Sequence, residues 1–246
     1  MKSFSAVLPL VALSLGVFVA VVTLPTDAQG QPQAKEKNKA KAKATVVKTT
    51  IMPCEIAGAI PFEQDTLHKA YDADYAHRFW RVLLSASEVF AHFRTAFLGK
   101  TSPVHFFWGS FDLAVTRFSG RAAPRHPGGV PHLPNTVAQE AYSHEVSSAG
   151  FWPGGGGPID YAAFYSYAYP APEGFGAAKV KPAQAAFSKE LGEFLLPYDA
   201  VRAARDPDAT LMEFLQSTYD AAADLAKWDR RSLECGLGEK GKPRAI

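Results

Sequence analysis

Two segments with a helical repeat of apolar residues enclose a stretch of strand-forming residues, and this order constrains the fold more than any other feature. The first begins at Asp72 or Asp74, either of which can cap a helix, and ends at Gly99. Its apolar residues recur three and four positions apart: Tyr75, Phe79, Leu83, Ala86, Val89, Phe90, Phe93 and Phe97. The second begins at Asp206, directly before a proline, and ends near Trp228.

The stretch between the helices predicts an antiparallel sheet. Residues 104–118 are aromatic and β-branched and predict one long strand. Four further segments have the same character, the last two as a hairpin: residues 142–151, 162–169, 183–188 and 193–198. The Pro- and Gly-rich residues 119–135 predict a loop. We therefore expect an α+β fold, an antiparallel sheet of four to five strands flanked by an N-terminal and a C-terminal amphipathic helix.

The N-terminal part of the chain differs from this domain. The apolar run from Phe4 to Leu24 predicts a secretory signal cleaved after Ala28, or an uncleaved membrane anchor, because it exceeds the usual apolar core of a signal. The domain prediction is signal or anchor over 1–28, a disordered Lys/Ala-rich linker over 29–51, one α+β domain over 52–232 and a disordered tail over 233–246. The protein is then exported or membrane-anchored, or cytoplasmic if translation starts at Met52.

The charge of the chain is concentrated in its N-terminal part. The whole chain has 26 basic and 24 acidic residues, and residues 1–44 contain six Lys and two acidic residues. The remainder therefore has 20 basic and 22 acidic residues. The domain itself is thus slightly acidic, and the sequence predicts no nucleic-acid partner. Membrane contact is expected only through residues 4–24, if they are not cleaved.

Two cysteines, Cys54 and Cys235, lie near the two ends of the predicted domain. In an oxidising compartment they can pair, and the long loop so closed would stabilise the fold by up to about 5 kcal/mol. The alternative is that Cys54 and Cys235 form no disulfide and remain as thiols, because two cysteines do not define a disulfide framework.

Three sequence blocks carry a resemblance to a known family. They are residues 59–63 (AIPFE) with 78–82 (RFWRV), residues 102–121 (SPVHFFWGSFDLAVTRFSGR) and residues 140–154 (EAYSHEVSSAGFWPG). From about Met52 to Trp228 the chain resembles the bacterial family catalogued as domain of unknown function 5996, which implies a fold rather than an activity. Relatives usually carry another α+β segment upstream, so this chain resembles their C-terminal part alone. An apolar sheet edge left open by that difference predicts a homodimer.

Six side chains are candidate ligand contacts: His105, Trp108, Asp112, Arg117, His144 and Glu145. In one long strand, alternation places His105 and Arg117 on one face and Trp108 and Asp112 on the other, so His105 and Asp112 cannot be partners. Pairing of the second strand is expected to bring His144 near His105, although His144 and Glu145 point to opposite faces of a regular strand.

These candidates leave three functions open. The first is a domain that binds a small ligand or a protein partner through an aromatic cleft with His105, Arg117 and His144 as polar contacts. The second is a metal-assisted hydrolase that uses His105, His144 and Glu145, although the close ligand pairs typical of zinc sites are missing and we predict no metal site. The third is a domain remnant without activity of its own. The sequence indicates no particular cofactor.

Overall fold

The computed structural model describes residues 60–67, 70–154, 159–236 and 242. The predicted signal or anchor, the predicted linker and Cys54 lie outside these residues, and so does the predicted pairing of Cys54 with Cys235. Among the described residues, no helix combines the length and the apolar character needed to cross a bilayer.

Both predicted helices are present, and each begins at a capping aspartate. Helix α1 spans Ala73–Thr95, and the Asp72 carboxylate accepts a hydrogen bond from the backbone N–H of Tyr75 at 2.8 Å. A second long helix, α4, spans Pro207–Leu225, and Asp206 accepts from the N–H of Ala209 at 3.0 Å. The described residues also form three short α-helices: α2 at Asn135–Ala141, α3 at Tyr198–Arg202 and α5 at Arg230–Leu233.

The strands form one antiparallel sheet, in the order β1-β2-β3-β4-β6-β5. Their bounds are β1 His105–Phe107, β2 Asp112–Ala122, β3 His144–Trp152, β4 Ala163–Tyr169, β5 Ala186–Ser188 and β6 Glu193–Pro197. The α+β prediction is confirmed, with six strands among the described residues instead of the predicted four to five. The β5–β6 hairpin also occurs where the sequence predicts it.

The prediction of one long strand over residues 104–118 is wrong. The chain turns back at residues 108–111, where Phe111 adopts a left-handed backbone with φ of 58°, and β1 pairs with β2. In the β1–β2 pair, His105 lies opposite Ala114 and Phe107 lies opposite Asp112. Paired residues of an antiparallel ladder point to the same face of the sheet. His105 and Asp112 lie on the same face of the sheet, not on opposite faces, and Arg117 lies on the other.

Helices α1 and α4 pack on one face of the sheet, here called the helix face. Its core contains Phe90, Phe93, Val115, Phe151 and Phe164. The opposite face, here called the tyrosine face, is covered by the chain between β2 and β3. That region is predicted as loop from 119 to 135, but β2 continues to Ala122 and α2 begins at Asn135. The tyrosine face is therefore closed by a short helix and a Pro- and Gly-rich segment.

Candidate functional site

The structure separates the six predicted candidates. Trp108 lies in the β1–β2 turn with 71% of its surface exposed. His144 is exposed at the start of β3, where its Nδ1 lies 3.1 Å from the hydroxyl of Ser143. Asp112 and Arg117 are both buried on β2, on opposite faces of the sheet.

The predicted approach of His144 to His105 does not occur. His105 pairs with Ala114, which pairs with Gly150, six residues along β3 from His144. At about 3.3 Å per residue, that spacing corresponds to roughly 20 Å. The histidine and carboxylate set of the hydrolase hypothesis is therefore not assembled.

Glu145 has a structural partner on β2. Its Oε2 accepts hydrogen bonds from the Arg121 guanidinium at 2.6 Å and from the Ser119 hydroxyl at 2.9 Å. The same guanidinium donates to the carbonyl of Ala226 at 2.6 Å and so joins the sheet to the end of α4. Within the described part of the chain, no group of three or more His, Cys, Asp or Glu side chains is placed to hold a metal ion.

The tyrosine face contains a buried network of acids and hydroxyl groups. The Tyr165 hydroxyl crosses over β3 and donates to Oδ2 of Asp112. Gly150 lies beneath the Tyr165 ring, and a Cβ at this position would collide with the phenol group. A residue without a side chain is therefore required where the tyrosine passes over the strand.

A second part of this network surrounds Glu193 on β6. The side chain is only 3% exposed, and its Oε2 has no hydrogen-bond partner among the described residues. Burial, with a contribution from the Asp112 carboxylate, raises the pKa of Glu193 to about 8. The hydroxyls of Tyr142 and Tyr167 lie 2.8 Å apart in the same layer, and burial raises the pKa of Tyr142 well above its usual value.

The tyrosine-face network is closed to solvent. Asp112, Tyr142, Tyr165, Tyr167 and Glu193 are all buried. A ring contact also seals its outer side, because His126 stacks on Tyr142 with the ring centroids 4.7 Å apart. This layer can hold protons and fix the packing of the covering segment, but it offers no open cleft to a ligand.

Arg117, by contrast, lies beside a cavity on the helix face. Its side chain is 1% exposed, and its guanidinium carbon stands over the rings of Phe93 at 3.5 Å, Tyr219 at 4.3 Å and Phe97 at 5.1 Å. Nη2 donates to the carbonyl of Phe93, whereas Nε has no hydrogen-bond partner in the described chain. Desolvation lowers the pKa of Arg117 to about 10, so the group remains charged at neutral pH.

The cavity beside Arg117 has a volume of about 290 Å³ and lies between α1, α4 and the segment after α5. Its other lining residues are Phe93, Ala96, Met212, Gln216, Glu234 and Cys235. The segment after α5 is attached to the end of α1, because the N–H of Cys235 donates to the carbonyl of Ala96 at 3.1 Å and Glu234 forms a β-bridge with Phe97. Residues 234–235, within the stretch predicted as tail, thus form one wall.

A group of charges borders this cavity. Arg230 donates to the carboxylates of Glu234 at 2.6 Å, Asp220 at 2.6 Å and Asp224 at 2.8 Å. The Tyr219 hydroxyl donates to Glu234 at 2.7 Å. Tyr219, Glu234 and Asp220 partly oppose the lowering of the Arg117 pKa by burial. The hydrogen bonds of the three acids are directed to Arg230 and Tyr219.

Sequence reasoning selected Arg117 but missed the residues around it. Tyr219, Glu234 and Gln216 lie about a hundred positions further along the chain, and no motif links them to β2. One local signal was present: an arginine shares the strand face of Leu113 and Val115, which are core residues. A charged group on a buried strand face indicates either a buried pair or a ligand contact.

Comparison with known proteins gives a family and no activity. No curated protein and no solved structure matches the chain. A family model described as a family of unknown function, DUF5996, matches residues 31–235, including residues 31–51 of the predicted linker. The match covers most of the chain and agrees with the resemblance found in the three sequence blocks, so the chain belongs to the DUF5996 family.

Proposed function

We propose that this protein is a small-ligand-binding domain whose site is the cavity beside Arg117. One observation carries the proposal: a buried guanidinium, with one nitrogen lacking a hydrogen-bond partner in the described chain, lines a cavity of about 290 Å³. A buried donor without a partner costs about 1 to 3 kcal/mol, and more when it is charged. A ligand with a suitable acceptor recovers that free energy.

The walls of the cavity also support binding. Phe93, Ala96 and Met212 supply apolar surface, while Arg117, Gln216 and Glu234 supply a few polar groups. An apolar enclosure with a small number of directed polar groups is the usual composition of a ligand site. The volume of about 290 Å³ lies just below the usual range of about 300 to 1,000 Å³, so the ligand has few heavy atoms.

Native mass spectrometry of the full chain, purified without added ligand, tests this function. We expect an additional mass of a small molecule on the native chain and on Met212→Leu, which keeps the cavity volume. Met212→Trp fills the cavity from α4, so the additional mass should be lost. A bare mass for all three proteins, with no ligand found in a thermal-shift screen, would overturn the proposal.

Assembly is a second candidate function, favoured by an exposed aromatic cluster at the β1–β2 turn. Trp108 packs on Phe106 at a centroid distance of 5.4 Å, and Phe111 stacks on Phe79 of α1 at 5.5 Å. Both edge strands, β1 and β5, have only three residues, which limits pairing through the sheet edge. The exposed aromatic cluster therefore favours a homodimer formed through the turn rather than through an edge strand.

Light scattering after size exclusion checks the dimer. The native chain should have the mass of a dimer at micromolar concentration, and Trp108→Lys should have that of a monomer. Leu225→Lys is the matched control, because Leu225 is another exposed apolar residue, at the end of α4. A monomeric native chain would remove the assembly function and leave the ligand site unaffected.

A further inference from the structure

We infer that the ligand of the Arg117 cavity is a small monocarboxylate with an apolar body, an inference that rests on the proposed function. The structure gives three grounds: the N–H donors of Arg117, which lines the cavity, the charges that border the cavity and the apolar character of several of its other lining residues. Each restricts the chemistry of the ligand in a different way.

The donors favour a carboxylate. Arg117 presents a fixed planar fork of N–H groups, of which Nη2 is engaged by the carbonyl of Phe93 and Nε is not engaged by any described residue. A planar guanidinium matches the geometry of a carboxylate more closely than that of any neutral acceptor. The guanidinium carbon lies over the rings of Phe93, at 3.5 Å, and Tyr219, at 4.3 Å, and these contacts hold the group beside the cavity.

The bordering charges restrict the ligand to one negative charge. Arg230, at the border of the cavity, forms ion pairs with three carboxylates, those of Asp220, Asp224 and Glu234. Glu234 itself lines the cavity. A single carboxylate on Arg117 is attracted by the adjacent guanidinium, but a second negative charge in the same small cavity would face Glu234 and be repelled. Phosphate dianions and dicarboxylates are disfavoured for this reason.

The remaining walls accept an apolar body. Phe93, Ala96 and Met212 are apolar residues that line the cavity. The side chain of Met212 has three rotatable bonds and can adapt to groups of different shape. Branched aliphatic and single-ring carboxylates, such as isovalerate and benzoate, combine one charge with an apolar body of suitable size.

Calorimetric titration of the full chain tests the inference with matched acids and amides. Benzoate and isovalerate are expected to bind at least about tenfold more tightly than benzamide and isovaleramide, because only the acids form charge-assisted hydrogen bonds with Arg117. Succinate and inorganic phosphate should bind more weakly than either monocarboxylate. Equal affinity of acid and amide would overturn the carboxylate assignment.

Variants of two arginines on β2 locate the effect. Arg117→Met retains an unbranched side chain of similar length and should lose at least about tenfold in benzoate affinity, with little change for benzamide. The benzoate affinity of Arg117→Lys should lie between those of the native chain and Arg117→Met, since lysine keeps the charge but lacks the planar fork of N–H donors. Arg121→Met is the matched control, because Arg121 lies on the same strand but outside the cavity, and its benzoate affinity should not change.

The possible failures are distinguishable. If acid and amide bind equally and both are lost in Met212→Trp, the cavity binds small ligands but does not select a carboxylate. If benzoate binds equally to Arg117→Met and the native chain, the carboxylate does not contact Arg117. If no probe binds and the native mass is bare, both the proposed function and this inference fail.

Discussion

The two faces of the sheet bury polar groups in different ways. On the helix face, Arg117 lies among aromatic rings and beside a cavity. On the tyrosine face, Asp112 and Glu193 lie in a closed layer with three tyrosines and no open cleft. One face thus keeps a charged donor with space in front of it, whereas the other keeps acids that have no access to solvent. The difference separates a candidate ligand site from a polar layer that supports the fold.

The coverings of the two faces account for this difference. Two long helices pack on the helix face, and a cavity remains where their ends meet the segment after α5. The tyrosine face is covered by α2 and a Pro- and Gly-rich segment, which bring few large apolar side chains. Tyrosine rings fill that layer instead, and their hydroxyls then require acceptors such as Asp112. The polar network is therefore a consequence of the few apolar side chains that α2 and the Pro- and Gly-rich segment bring to this face.

Glu193 gives the largest expected effect, through the dependence of stability on pH. Its pKa is about 8 in the folded chain against an ordinary 4.5. Below pH 4.5 the side chain is protonated in both the folded and the unfolded state. As the pH rises towards 8, only the unfolded chain ionises, so the folded state loses about 3 to 5 kcal/mol of stability. Above about pH 8 this loss is complete.

Urea unfolding of the native chain and of Glu193→Gln at pH 5 and pH 8.5 measures the effect. The glutamine stays neutral, so its free energy of unfolding should change less between the two pH values. Burial lowers the pKa of His126, which adds an opposite dependence near pH 6.5, but both proteins share it and it cancels in the difference. Parallel profiles would mean that Glu193 is not the titrating group.

Gly150→Ala gives the next largest effect. The new Cβ would collide with the Tyr165 phenol, and it would lie 2.5 Å from the carbonyl oxygen of Leu113. Overpacking and displacement of the hydroxyl from Asp112 should together cost about 2 to 4 kcal/mol. Thermal unfolding checks this, with Gly120→Ala as the control, because nothing lies within 4 Å of a Cβ there. Gly120 has a positive φ, so some loss is expected in the control, and equal losses would remove the role of Tyr165.

The sequence predicts those parts of the fold that depend on residues close together in the chain, and it does not predict contacts between residues far apart in the chain. Caps and apolar repeats are local, and they gave both long helices correctly. The prediction for residues 104–118 failed because the aromatic and β-branched residues on both sides outweighed a short turn signal, Gly109-Ser110, which lies inside the reversal. The left-handed residue of the turn is Phe111, where a glycine would be expected. Because of this turn, His105 lies on the same face of the sheet as Asp112, and Arg117 lies on the opposite face. The predicted site, which needs His105 and Arg117 on one face, is therefore not formed. Arg117 contacts Tyr219 and shares a cavity with Glu234, and both residues lie about a hundred positions further along the chain. No sequence motif indicates this proximity.

Tyr142→Phe gives a smaller effect on the tyrosine face. The change removes one hydroxyl of the 2.8 Å pair with Tyr167 and leaves the stacked ring of His126 in place. We expect a loss of about 1 kcal/mol in the free energy of unfolding, the usual value of one buried hydrogen bond. Tyr161→Phe is the control, because Tyr161 is exposed and its hydroxyl can be replaced by water. A loss no greater than that of the control would show that the pair contributes nothing to stability.

Arg117→Met gives the smallest expected effect on stability and separates the two faces most clearly. The substitution removes the desolvation penalty of the buried cation, and it leaves no nearby carboxylate unpaired, because Asp220, Asp224 and Glu234 keep their hydrogen bonds with Arg230 and Tyr219. The Phe93 carbonyl keeps an acceptor role towards the N–H of Ala96 at 3.4 Å. We therefore expect a change within about 1 kcal/mol in urea unfolding, while benzoate affinity falls as stated above. A loss of several kcal/mol would instead mark Arg117 as a structural residue, equivalent to the acids of the tyrosine face, and the two faces would then differ only in composition.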